Sequence, residues 1–120
     1  MFKLLENSTP PKEIIKGLLY ELYPSNFVSI RPQTPAVIPF SIELNIPENY
    51  VGTIEIFSDF TLKGLIAPNI SFINGEILQL PVFYCFIQWD RNVLDELFSK
   101  NILFIEQNKP IAKLWIKKIA

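Results

Sequence analysis

The sequence predicts an all-β fold of antiparallel strands, and three observations carry that expectation. FSIELNI (40–46) sets Phe40, Ile42, Leu44 and Ile46 against Ser41, Glu43 and Asn45, the period of two that a half-buried strand has and a helix lacks. Pro24, Pro32, Pro35, Pro39 and Pro47 crowd the first half of the chain, where proline breaks helices and punctuates short strands. Short β-rich runs then alternate with turn residues to the C-terminus, the pattern of a sandwich or barrel.

Taken in order, the predicted strands are NFVSI, FSIELNI, GTIEIFSDF, EILQLPVFYCFI, NILFIE and IAKLWIKKI, with turns at PENYVG, INGE and EQNKP. In GTIEIFSDF the residues Ile54 and Ile56 share a face. Two segments depart from period two. In KEIIKGLLYEL (12–22) Ile14, Ile15, Leu18, Leu19 and Leu22 recur at helical spacing around a central Gly17, which disfavours a helix. In WDRNVLDELFSKN (89–101) Asp90 or Asn92 is placed to cap a short helix, whose stripe of Val93, Leu94, Leu97 and Phe98 is apolar.

With 120 residues the chain is expected to form a single domain over 1–120, able to bury about two thirds of its unfolded surface. A hydrophobic share of 49% with 19% charged residues exceeds what a lone domain of this size needs, so part of the surplus is expected at a subunit interface. A net charge of −1 and no basic run longer than Lys117-Lys118 give no footprint for nucleic acid. Cys85 is the single cysteine, which excludes an internal disulfide and fits a reducing compartment. The run ILQLPVFYCFI is broken by Gln79 and Pro81 and too short to cross a bilayer, and MFKLLENSTPP has no signal-peptide core. A soluble intracellular protein with no membrane partner is expected, in cytoplasm or nucleus, an infected host's included.

The chemistry is marked by what the chain lacks. It has no histidine, so His-based triads, His metal sites and imidazole bases are excluded. Neither a CxxC pair nor a glycine-rich phosphate loop occurs, and four glycines leave little to build one from. Most carboxylates fall where strands and helices face water, the usual place of acids.

The order of segments resembles the trimeric deoxyuridine triphosphatase (dUTPase) family over about residues 18–118. Tyr20-Glu21-Leu22 resembles the family's first motif, Gly-Tyr-Asp-Leu, with Glu for Asp, and Ile46-Pro47-Glu48-Asn49-Tyr50-Val51-Gly52 matches its Ile-Pro-x-x-Tyr-x-Gly turn. The second motif, Arg-Ser-Gly-Leu-Ala, falls on Phe57-Ser58-Asp59-Phe60-Thr61 and keeps only the serine; Leu62-Lys63-Gly64 follows as in the family. Of the third, Gly75-Glu76 remains, with Ile70 at the water-activating aspartate, Ile73 at the sugar-stacking tyrosine and Asn74 at the arginine. The fourth, Gly-Asp-Arg-Ile-Ala-Gln-Leu, becomes Asn108-Lys109-Pro110-Ile111-Ala112-Lys113-Leu114. A counterpart of the glycine-rich fifth motif would lie beyond Ala120.

The resemblance implies a jelly-roll (β-clip) barrel with one short inserted helix, extended chain over 12–22, and a homotrimer whose sites are each built by several subunits. Resembling positions turn the chain or fill its core, as Pro47, Tyr50, Gly52, Gly64, Gly75, Ile111 and Leu114 do. Those for phosphate, metal and water became Phe57, Ile70, Ile73 and Pro110, which carry no charge and donate no side-chain hydrogen bond. Losing one general base alone removes about 10²–10⁴-fold in rate.

The expectation is therefore a pseudoenzyme with no catalytic residue, cofactor or metal, reused to bind an unknown protein; a residue usage rich in Ile, Lys, Asn and Phe permits a viral source. Trp89, Leu94, Leu97 and Phe98 are its candidate partner-binding face or, alternatively, core. A module that holds a nucleotide or other small ligand without hydrolysing it is the alternative, through Glu21, Ser58, Lys63, Asn74 and Lys113. A third reading, a weak hydrolase, would need metal ligands rebuilt around Glu21, Asp59 and Glu76.

Overall fold

The computed structural model describes residues 1–85 and 102–119. Along these run β1 (Phe2–Leu4), β2 (Lys12–Ile15), β3 (Leu19–Leu22), β4 (Val28–Ile30), β5 (Thr34–Leu44), β6 (Tyr50–Ile56), α1 (Ser58–Leu62), β7 (Leu65–Ile66), β8 (Ile70–Phe72), β9 (Ile77–Tyr84), β10 (Leu103–Ile105) and β11 (Ala112–Lys118). They form a four-stranded sheet in the order β1-β5-β9-β7, a five-stranded sheet β2-β3-β11-β6-β8 and a ribbon β10-β4. Pairing is antiparallel throughout.

Period two does what the sequence predicts. Phe40, Ile42, Leu44 and Ile46 are buried, as are Leu78 and Leu80 of β9, Ile54 of β6, and Leu114 and Ile116 of β11. They join Ile30 and Ile105 of the ribbon in one core cluster between the sheets, the two-layer solution for sheets with one apolar face each. The PENYVG turn closes through Tyr50 N–H donating to the Pro47 carbonyl at 3.0 Å.

β5 runs straight through two of the prolines. Pro35 lies opposite Phe83, Pro39 opposite Gln79 and Pro81 opposite Val37, so all three share one register phase and the N–H groups they lack belong to the edge away from β5–β9 pairing. The Pro39 carbonyl, turned the same way, accepts from Ser25 N–H at 2.9 Å. After Pro39 the register shifts and Ser41 takes φ 54, a bulge that bends the strand.

Over 12–22 the helical spacing is a hairpin: β2 and β3 flank a turn in which Gly17 has φ 70. Left-handed backbone suits glycine and ends a helix, so the extended chain implied by the resemblance is what forms. The strand expected over GTIEIFSDF stops at Ile56, and Ser58–Leu62 turns into α1. That turn is fastened by Phe57 N–H donating to Ile111 at 2.9 Å. It ends at Gly64, whose φ of 103 and contact with the Cys85 carbonyl leave no room for a Cβ. The expected helix over 89–101 lies outside the described residues.

Candidate functional site

Three of the five candidate ligand residues come together on the outer side of the five-stranded sheet. Tyr20, Leu22, Ala112 and Leu114 point into the core, so the alternation of β3 and β11 turns Glu21 and Lys113 outward. Register places Lys12 opposite Glu21, Glu21 opposite Lys113 and Lys113 opposite Glu55. This row alternates in sign across four strands, and opposite charges facing across strands contribute about 0.2–1 kcal/mol per pair.

At the end of that row β6 gives way to α1, bringing Ser58 and Asp59 to the same place. Glu21, Phe57, Ser58, Asp59 and Lys113 line a cleft of ≈ 210 Å³. Lys113 Nζ stands 5.9 Å from the centroid of the Phe57 ring, within reach of a cation–π attraction. The cleft thus offers one ammonium, one hydroxyl and two carboxylates over an apolar floor. Phe57 and Asp59 line it as well; the candidate ligand set omitted both, whereas the weak-hydrolase reading had already placed Asp59 beside Glu21.

Lys63 and Asn74 lie elsewhere. Lys63 follows α1 on its other side, its Nζ 5.4 Å from the Phe60 ring centroid, and lines a separate cleft of ≈ 170 Å³ with Phe60, Phe104, Ile105, Glu106 and Lys109. Asn74 sits in the β8–β9 turn, where its Oδ1 accepts from Ile46 N–H at 3.0 Å. In the same turn Glu76 Oε1 accepts from Ile73 N–H at 3.0 Å. Both side chains fasten backbone there. Glu21 and Asp59 share a cleft without Glu76, and no group of three or more His, Cys, Asp or Glu placed to hold a metal ion occurs among the described residues. Ile70 pairs with Ile54 on β6 and packs half-buried against the core, while Ile73 is 57% exposed.

Behind the cleft, Tyr20 donates its hydroxyl to Glu13 Oε2 at 3.0 Å and meets Phe2 edge to face, ring centroids 4.8 Å apart. Burial first, then the bond and charge of Glu13, raise the Tyr20 pKa above its ordinary value. Trp89, Leu94, Leu97 and Phe98, the candidate partner face, lie outside the described residues.

No family model and no curated protein matches the chain. Solved structures do. A dUTPase from phage phi11 of S. aureus superimposes with a TM-score of 0.81 at 22% identity, over 100% of this chain and 90% of that one. A dUTPase variant of Staphylococcus bacteriophage 80alpha, solved with dUpNHpp, does so with 0.80 at 23%, over 100% and 82%. The chain has a dUTPase-like fold. A phi11 dUTPase variant described for its coordination of a structural Mg(II) ion gives 0.82 at 22%, over 100% and 90%. No helix among the described residues is long and apolar enough to cross a membrane.

Proposed function

We propose that this chain is a dUTPase-like pseudoenzyme of viral or phage origin, a homotrimer that hydrolyses no deoxynucleoside triphosphate and acts by binding another protein. The observation that carries the reading is Ile70. It stands where the resemblance puts the water-activating aspartate, is held in β8 opposite Ile54, and packs against the core. A half-buried isoleucine accepts no proton. Phage sources of the similar structures support the setting, and the 80alpha dUTPase is described as controlling transfer of virulence genes by a G protein-like mechanism, a precedent for regulatory use of this fold. For the trimer, support comes from the outer face of the four-stranded sheet, where Val37, Ile66 and Phe83 are exposed along paired strands, an apolar strip of the kind subunit contacts cover.

A second reading is favoured by the cleft of Glu21, Ser58, Asp59 and Lys113: a nucleotide or other small ligand held there without turnover. One set of measurements separates the readings. Purified protein given dUTP and Mg²⁺ is expected to release no pyrophosphate; turnover within about a hundredfold of the ~10 s⁻¹ typical of enzymes overturns the pseudoenzyme. Calorimetry with dUTP decides the second reading, which requires binding that Lys113→Gln abolishes. Mass spectrometry of what co-purifies from host cells names the protein partner.

A further inference from the structure

We propose that α1 and the β4–β10 ribbon form one docking surface for an extended acidic protein segment with an aromatic anchor. The inference rests on reading the chain as an interaction protein, and names the chemistry of the partner. It starts from α1. This helix has five residues, no side-chain cap bond and no buried residue. So short a helix gains its stability from packing, not propensity, yet Phe60 meets the core only from a half-buried position and Leu62 is 86% exposed.

The ribbon beside it carries a second exposed feature. Phe104 lies opposite Ser29 in β4, so Phe27 is its diagonal neighbour. The two rings stack with centroids 5.7 Å apart and an interplanar angle of 25°, and remain 59% and 58% exposed. Two phenyl rings facing water side by side mark a site where another apolar group is taken up. Helix and ribbon are one surface because Phe60, Lys63, Phe104, Glu106 and Lys109 line a shared cleft.

Charge selects the partner. Lys109 is paired with Glu106 at 3.1 Å, whereas Lys63 rests over the Phe60 ring. The cleft therefore keeps a positive balance on a chain whose net charge is −1. An aromatic side chain on the phenyl pair, followed by Asp or Glu toward Lys63, satisfies both features; burial of an aromatic anchor supplies the affinity and the rim charge the sign.

The test is an NMR titration of the full chain, at low salt, with the blocked peptide Asp-Glu-Phe-Asp-Glu. Controls are Asp-Glu-Ala-Asp-Glu and Lys-Lys-Phe-Lys-Lys. Saturable shifts are expected at the amides of Phe27, Lys63, Phe104 and Lys109, with a Kd of about 1 mM or tighter, and binding at least about tenfold weaker for each control. Lys63→Gln, an exposed change, should weaken binding several-fold at unchanged melting temperature, and Lys113→Gln should leave it unaltered. The proposal is overturned by the absence of saturable shifts, by equal binding of all three peptides, by shifts confined to the Glu21 cleft, or by shifts that follow protein concentration alone, which make a second copy the occupant. A failed titration without dUTP turnover removes this surface and leaves the pseudoenzyme standing; failure with turnover removes both.

Discussion

The two large sheets both bury apolar inner faces but differ in how charge is placed on their outer ones. On the five-stranded sheet the outer rows read Lys12, Glu21, Lys113, Glu55 and, one row on, Leu19, Trp115, Thr53, Ser71. On the four-stranded sheet they read Pro35, Phe83, Ile66 and then Val37, Pro81. The four-stranded sheet is thus apolar outside at the end that carries Val37, Ile66 and Phe83 and has Lys3 opposite Glu43 at the other, while the five-stranded sheet sets a fully charged row beside one that holds Leu19 and Trp115. One face is suited to leave water, the other to hold polar ligands in it.

That contrast can be broken most severely from inside. Leu80→Ala, in the fully buried inner row of β9, should cost about 2–5 kcal/mol in denaturant unfolding, the range for large-to-small core changes. Val37→Ala, on the outer face of the strand it pairs with, should cost the isolated subunit about 0.5 kcal/mol or less. Equal costs would mean that the outer face is covered within one chain.

Oligomeric state sharpens the comparison next. Val37→Lys with Phe83→Lys is expected to convert a light-scattering mass of three chains into that of one without loss of the strand signal in circular dichroism, because paired cations cannot be desolvated at an apolar interface. A wild-type protein already monomeric at micromolar concentration removes the trimer. The same two substitutions leave the charged face untouched, so any ligand held by one chain's Glu21 cleft alone should still bind.

Smaller effects belong to the charged sheet. Lys113→Glu would set three acids in a row between β3, β11 and β6, and should destabilise by about 1 kcal/mol, recovering at high salt. Behind that row, the raised pKa of Tyr20 favours its neutral form in the folded state. Its stabilising contribution is therefore complete below the unfolded pKa of about 10 and is lost as pH rises through the higher folded value. Tyr20→Phe should cost about 0.5–1.5 kcal/mol near neutral pH through the lost bond to Glu13, and melt with a shallower alkaline decline than the wild type. An unchanged decline would place the alkaline titration elsewhere.

The sequence by itself determined the strands from Phe40 onward that alternate, the turns at PENYVG and INGE, and the apolar residues that fill the core, because alternation, proline and glycine act locally and need no partner to be read. Ile70 and Phe57 were equally legible as side chains that carry no charge, since that is visible in the residue alone. Other features were decided only by the tertiary structure. Ile14, Ile15, Leu18 and Leu19 have helical spacing, yet the left-handed turn at Gly17 and the pairing of β3 with β11 make them a hairpin, a long-range choice invisible to periodicity. Proline reads as a strand breaker until register shows that Pro35, Pro39 and Pro81 share one phase. The candidate ligand set divided for the same reason. Sheet pairing carried Glu21 and Lys113 to Ser58, whereas Asn74 was spent on the backbone of Ile46 and Lys63 went to the far side of α1: side-chain chemistry is written residue by residue, but which groups meet depends on contacts between strands far apart in the chain.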